Sequence, residues 1–297
     1  MLCNLCPRKC NIDRSGGNVG FCGETNELRV ARIAPHYFEE PPISAVRGSG
    51  TVFFSGCSLR CVYCQNKDIS RPNGVGKKMS AEELRKKIIE LLALGVHNLN
   101  LVTPTHFAHL LAPLLASMKA RGELTVPVVY NSSGYERAET LKMFDGIVDI
   151  YMPDFKYASA ELALRYSSAP DYPTVALDAL REMLRQRGRP IYSENEPDVL
   201  KSGIIVRHLV LPSHRADSIA ALELLANELG TSGFLLSLMS QYTPDFALDS
   251  PHKNLHRRIT SFEYESVCQK ALELGFSGFT QSKNSAISDF TPKFAQE

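Results

Sequence analysis

Thr51-Val52-Phe53-Phe54-Ser55-Gly56 runs straight into Cys57-Ser58-Leu59-Arg60-Cys61-Val62-Tyr63-Cys64. The first six residues have the apolar, β-favouring texture of a buried strand closed by a glycine. The next eight carry three thiols in one short loop at its carboxyl end. A structural zinc needs four ligands, so three cysteines leave such a site one short. Three thiolates do match three irons of a [4Fe-4S] cluster, with the fourth iron open to an outside ligand. An open coordination position is the mark of a catalytic rather than a structural metal centre.

Working outward, five more apolar runs follow, at 98–103, 126–131, 147–152, 204–211 and 234–240. Amphipathic stretches separate them, which is the alternation of βα units on a parallel sheet. Ser80 and Glu83 form a capping box before Leu84, Ile88, Leu91 and Leu92 on one helical face. Further helices are expected at 106–121, 136–144, 158–166, 172–187, 215–229 and 261–274, with a kink or break at Pro113. Gly95, Gly122, Gly230 and Gly275 stand where helix C-terminal caps belong. Stretches 188–203 and 243–260 read as irregular loops. Six βα units are too few to close an eight-stranded barrel, so the expected fold is α/β, a partial (β/α)6 barrel of the TIM type. A doubly wound open sheet is the alternative. Residues 1–48 lack this periodicity and are expected to form a small Cys-rich metal-binding segment, with the barrel, a C-terminal helix and a tail over 49–297.

The chain has 297 residues, 33 basic and 32 acidic, so its formal net charge of +1 gives no reason to expect a nucleic acid or another polyanion as partner. Leu2 and Cys3 follow Met1 with no charged n-region, and no run approaches the ~18 apolar residues of a membrane span. A cytoplasmic protein is expected. Eight cysteines in a reducing compartment argue for metal rather than disulfides. Cys268 stands alone in a helical pattern and reads as a small buried apolar residue. Cys3, Cys6, Cys10 and Cys22 follow C-x2-C-x3-C-x11-C, with Gly16, Gly17, Gly20 and Gly23 letting the chain wrap closely. Four thiolates suit either a structural zinc or a second [4Fe-4S] cluster.

Each predicted strand ends in polar groups: Thr103-Pro104-Thr105-His106, Asn131-Ser132-Ser133-Gly134, Pro153-Asp154-Phe155-Lys156, Pro212-Ser213-His214 and Gln241-Tyr242. All fall at the face where barrel enzymes build active sites, and His106, His214 and Gln241 suit substrate contacts.

The C-x3-C-x2-C spacing with Tyr63 before its last cysteine resembles the radical S-adenosylmethionine (AdoMet) superfamily. More closely, the chain is similar to the pyruvate formate-lyase activating-enzyme-like branch with an N-terminal Cys-rich segment. Cys6-Pro7-Arg8, Phe53-Phe54-Ser55-Gly56-Cys57 and Cys64-Gln65-Asn66 carry that likeness, with the strand-end motifs in the same order. The resemblance implies a cluster on Cys57, Cys61 and Cys64 whose open iron is chelated by AdoMet. Its reduction gives methionine and a 5′-deoxyadenosyl radical that abstracts hydrogen. It implies AdoMet contacts by Tyr63, Thr103, Thr105, Ser132, Ser133, Asp154, Lys156 and His208. Thr103-Pro104-Thr105 stands in the place of a Gly-Gly-Glu segment that holds the AdoMet amino group, without the glycines or the acid. It implies a flavodoxin- or ferredoxin-type electron donor, and as substrate a glycyl site in a protein, a peptide or a small molecule. The extra cysteines precede the motif, which argues against a standard activase. The competing reading is a zinc-binding interaction or RNA-binding module without radical chemistry, and near-neutral charge speaks against it.

Overall fold

All six predicted runs form strands, and four further strands, one of nine residues and three short, join them. The computed structural model describes residues 2–281 and Phe294. Its strands are β1 (Leu28–His36), β2 (Ser49–Phe54), β3 (Lys77–Met79), β4 (Leu99–Val102), β5 (Val128–Ser132), β6 (Ile150–Pro153), β7 (Ile191–Tyr192), β8 (Leu200–Leu209), β9 (Leu235–Met239) and β10 (Gly278–Thr280). The order across the sheet is β10-β9-β8-β6-β5-β4-β2-β1-β3, with β7 paired to β8. Along the path β2-β4-β5-β6-β8-β9 every pairing is parallel and the spatial order follows the chain order. A doubly wound sheet reverses direction at a switch point, so this monotonic order excludes it. The sheet ends at β10 and β3 without closing, and the fold is a partial barrel of βα units.

The differences from the sequence reading have local causes. Strand β5 starts at Val128 because Pro127 has no N–H to give, although its carbonyl accepts from Leu99 N at 2.9 Å. Stretch 188–203, expected to be irregular, contains the β7–β8 hairpin. Gly203 sits there at φ 134°, where a Cβ would come 2.6 Å from Pro190 Cα. Pro113 lies inside α4 (Ala108–Ala120) without ending it. Strand β1 pairs antiparallel with β2, so the chain passes residue 48 without leaving the sheet.

After the one-turn helices α1 (Pro41–Ser44) and α2 (Lys67–Ser70), helix α3 (Ala81–Leu92) carries the capping box with both of its hydrogen bonds. The other helices that matter here are α5 (Ala138–Leu141), α6 (Ala160–Ser167), α7 (Tyr172–Arg187), α8 (Arg215–Leu229) and α9 (Ser261–Glu273). Their apolar faces and the strands form one large cluster that includes Leu84, Leu111, Phe144, Leu180 and Leu222. Cys268, on α9, packs half-buried against it. Among the described residues no helix is long and apolar enough to cross a membrane.

Two arginines fasten the N-terminal segment to the barrel. Arg14, 3% exposed, donates to the carbonyls of Glu24 (3.1 Å), His106 (2.6 Å) and Thr25. Arg8 donates to those of Ser58 (2.7 Å), Ser167 (3.0 Å) and Ser168.

Candidate radical site at the strand carboxyl ends

The three cysteines of the loop follow β2 directly, and each sulfur accepts one hydrogen bond. Leu59 N–H points to Cys57 Sγ (3.4 Å), Ser167 Oγ to Cys61 Sγ (3.0 Å) and Ser70 Oγ to Cys64 Sγ (3.4 Å). Burial pushes the Cys61 thiol up to about 12 and shifts Cys64 in the same direction. Thiolates at these positions therefore need a nearby positive charge, which a metal centre supplies. Tyr63 is buried between Tyr166 and Tyr242, and its hydroxyl pairs with that of Tyr157 at 2.6 Å.

A cavity of about 230 Å³ opens onto these cysteines. Thr103, Ser132, Ser133, Asp154 and Lys156 line it with Tyr63, and so do His36, Glu39, Arg207 and Gln241. Its floor is a chain of alternating charges. Lys156 Nζ meets Asp154 Oδ2 at 2.6 Å, and Arg207 bonds Asp154 Oδ1 (2.9 Å) and Asn131 Oδ1 (2.7 Å). Arg207 Nη1 also lies 3.7 Å from Glu39 Oε2, while Glu39 Oε1 accepts from Asn100 and Asn131. Burial raises the Asp154 carboxyl, but Arg207 and Lys156 outweigh it and hold the group below its ordinary value. At Glu39 burial wins over Arg207 and the shift is upward. One wall of the cavity thus carries Lys156 and Arg207, each already paired with a carboxylate.

Thr103 adopts φ 59°, a left-handed conformation that a β-branched residue rarely takes. The glycine-type turn is kept there without the glycine. Thr105 and His208 are buried behind the lining. Thr105 Oγ1 donates to Glu136 at 2.6 Å. His208 Nδ1 donates to the Phe155 carbonyl at 2.6 Å, which leaves Nε2 as a lone-pair acceptor, buried and with no partner among the described residues. Burial holds His208 neutral, down to about 4. A buried orphaned acceptor beside Asp154 and Lys156 fits a ligand that brings a donor.

A sequence model of the radical SAM superfamily matches residues 51–201. The chain belongs to that superfamily. An uncharacterized protein of Methanocaldococcus jannaschii is 29% identical over 280 residues, 92% of this chain and 73% of its own. The pyruvate formate-lyase-activating enzyme of Clostridium pasteurianum is 55% identical over 38 residues, 13% of this chain and 16% of its own. Among solved structures, HydG, a maturase of the [FeFe]-hydrogenase, aligns with a TM-score of 0.51 at 13% identity, over 75% of this chain and 48% of that one. Streptococcus suis SuiB bound to S-adenosylmethionine aligns with a TM-score of 0.50 at 10% identity, over 76% and 48%. At such identities the likeness is one of fold, and the chain spans about half the length of these structures.

In this radical SAM chain the N-terminal Cys-rich segment is docked against the loop that carries Cys57, Cys61 and Cys64. A Cβ on Gly56 would fall 2.5 Å from Glu24 Cγ and 2.8 Å from the Cys22 carbonyl, and its φ of 84° already favours glycine. Phe21 is flanked by the guanidiniums of Arg8 (3.9 Å) and Arg60 (4.4 Å). Cys6 and Cys22 are buried, which pushes their thiols up to about 12 and about 11. Phe21 N–H donates to Cys10 Sγ (3.4 Å), and Arg14 reaches Cys3 Sγ (3.8 Å). Among the described residues no three His, Cys, Asp or Glu side chains are gathered so as to hold one metal ion.

Gln241 lines the cavity, whereas His106 is buried against the Ser55 carbonyl (2.6 Å) and His214 bonds Tyr166 and Asn254. Sequence reasoning missed Glu39, Arg207 and Glu136. A charge inside the apolar run Ile204-Ile205-Val206-Arg207 was the available signal for Arg207. Nothing local marked the other two.

Proposed function

We propose that the protein is a radical AdoMet oxidoreductase, with Cys57, Cys61 and Cys64 holding a [4Fe-4S] cluster and the adjoining cavity holding AdoMet. The observation that carries this is the set of three thiols, each already given one hydrogen bond, facing a cavity lined by Lys156, Arg207, Asp154 and the hydroxyls of Thr103, Ser132 and Ser133. When bound and reduced, the cluster supplies the electron that splits AdoMet into methionine and a 5′-deoxyadenosyl radical, which takes a hydrogen atom from the substrate.

The chain's own part is to bind, orient and exclude water. Lys156 and Arg207 receive the AdoMet carboxylate, and Thr103, Ser132 and Ser133 form the opposite wall. Thr105 acts from behind that wall, and His208 Nε2 accepts a donor from the ligand. Tyr63, Tyr166 and Tyr242 seal the cluster side against solvent. Gln241 and His36 stand on the cavity surface left for the substrate.

The Cys-rich segment within residues 1–48 is read as a second metal centre on Cys3, Cys6, Cys10 and Cys22, either zinc or a second [4Fe-4S] cluster. A tetrahedral zinc with Zn–S of about 2.3 Å would have to draw the four sulfurs to about 3.8 Å from one another. Metal analysis of protein purified without oxygen separates the two. The electron comes from a flavodoxin- or ferredoxin-type donor. The substrate is a glycyl site in a protein, a peptide or a small molecule. Deuterium transfer from labelled candidates into 5′-deoxyadenosine identifies which. The reading is tested by anaerobic reconstitution: AdoMet cleavage by the wild type and none by Cys61→Ala is expected, and cleavage unchanged by that substitution overturns it.

A further inference from the structure

Tyr63, Tyr157 and Ser167 come from three separate stretches of the chain, yet their hydroxyls meet in one buried line. Tyr63 stands in the loop after β2, Tyr157 in the segment after β6, and Ser167 at the last position of α6. Tyr63 OH pairs with Tyr157 OH at 2.6 Å, and Tyr157 OH with Ser167 Oγ at 2.8 Å. Ser167 Oγ then reaches Cys61 Sγ at 3.0 Å. All four residues are buried, so water does not compete for these bonds.

A thiolate bound to iron fixes the direction of the line. It has no hydrogen to give, so the one hydrogen of Ser167 Oγ goes to Cys61 Sγ. Ser167 Oγ therefore accepts from Tyr157, and the Tyr157 oxygen accepts from Tyr63. Each bond polarises the next, and such chains are strengthened by about 10–30% per bond. The other two sulfurs lack this backing. Cys57 Sγ accepts the Leu59 N–H, and no further hydroxyl among the described residues stands behind Ser70 Oγ where it bonds Cys64 Sγ.

We propose that Tyr63, Tyr157 and Ser167 form a one-way hydroxyl relay that ends on Cys61 Sγ and raises the reduction potential of the cluster held there. The inference rests on the reading that Cys61 is a ligand of a [4Fe-4S] cluster. Hydrogen bonds to the sulfurs of a cluster favour its reduced, more negative state. Tyr157 is a positioning residue, because it acts on the sulfur only through Ser167. Tyr63 also lines the cavity, so the relay joins the cavity wall to a metal ligand.

The test is a potentiometric reduction of reconstituted wild type, Tyr157→Phe, Ser167→Ala and the double variant, without AdoMet. The reduced fraction is read from the electron paramagnetic resonance signal that Cys57→Ala abolishes. Phenylalanine keeps the ring and removes only the middle hydroxyl. At a fixed potential the reduced-to-oxidised ratio should fall about twofold in Tyr157→Phe, a shift of about 18 mV at 59 mV per tenfold for one electron. Ser167→Ala should lower the ratio about fivefold. Adding Tyr157→Phe to Ser167→Ala should change nothing more, because the relay is already cut beside the sulfur. Added to Ser70→Ala, whose hydroxyl serves Cys64, it should keep its full effect. An unchanged potential in Tyr157→Phe, or the same shift with and without the Ser167 hydroxyl, overturns the proposal. If Tyr157→Phe does not fold, Tyr63→Phe is compared in the same backgrounds with the same outcomes. Wild-type protein that yields no such signal overturns the underlying reading instead.

Discussion

Replacing Arg14 by methionine removes the guanidinium that ties the N-terminal quartet to the barrel while keeping most of the apolar stem. Arg14 is almost wholly buried, and its donors satisfy three backbone carbonyls, those of Glu24, Thr25 and His106, besides reaching Cys3 Sγ. A hydrogen bond from a charged donor contributes about 1.5–3 kcal/mol, and a buried carbonyl left without a partner costs about 1–3 kcal/mol. The three bonds share one side chain and are not additive, so a net loss of about 3–5 kcal/mol is expected. With a denaturant slope of about 3 kcal/mol/M, this moves the urea midpoint down by more than about 1 M. The assay is anaerobic urea unfolding of metal-loaded protein, followed by fluorescence and by release of metal to a chelator. Quartet metal should be lost at lower urea than in the wild type. A stability change below about 1 kcal/mol with the metal fully retained would refute the claim that Arg14 fastens the two parts together.

Three further outcomes follow from the same geometry. Burial, with help from Arg14, Arg29 and His109, lowers His106 from 6.5 to about 3, so as pH falls the unfolded chain takes up its proton first. The stability His106 contributes is thus present above pH 6.5 and is lost on the way to pH 3. At pH 5 the loss is about 2 kcal/mol, and urea titrations of His106→Gln at pH 5 and 7.5 should differ less than those of the wild type by that amount. Gly56→Ala places a methyl against Glu24 and the Cys22 carbonyl, whereas Gly95, also at positive φ, has open space. Gly95→Ala should cost about 1 kcal/mol and Gly56→Ala at least twice that, with reduced iron content on metal analysis. Ser167→Ala removes the hydroxyl that donates to Cys61 Sγ. Losing about 1 kcal/mol of stabilisation of the reduced centre should lower its potential by about 40 mV in a spectroscopic redox titration.

The legible part of this molecule was the part whose causes are local. Val128-Val129-Tyr130 and Leu235-Leu236-Ser237-Leu238-Met239 are buried on both faces of a parallel sheet, which forces continuous apolar runs. The capping box of Ser80 and Glu83 needs only four residues to specify it. Strand β1 escaped notice because Arg29, Arg32 and Pro35 blur its alternation near the sheet margin, and β10 because three residues carry little pattern. The same division runs through the site. Cys57, Cys61 and Cys64 sit in one contiguous loop, so their chemistry could be read directly. Glu39 enters the cavity from before the barrel and Arg207 from β8, and only the folded chain brings them together. His106 looked like a substrate contact because it follows a strand end, but its ring turns inward to the Ser55 carbonyl.

The central claim concerns what the three cysteines of the loop do. Protein reconstituted anaerobically with iron and sulfide, reduced and given AdoMet, is assayed for 5′-deoxyadenosine and methionine beside Cys57→Ala, Cys61→Ala and Cys64→Ala. The account predicts both products, in equal amounts, from the wild type and neither from any of the three variants. Absence of cleavage by iron-loaded wild type, or undiminished cleavage by a variant, would contradict it.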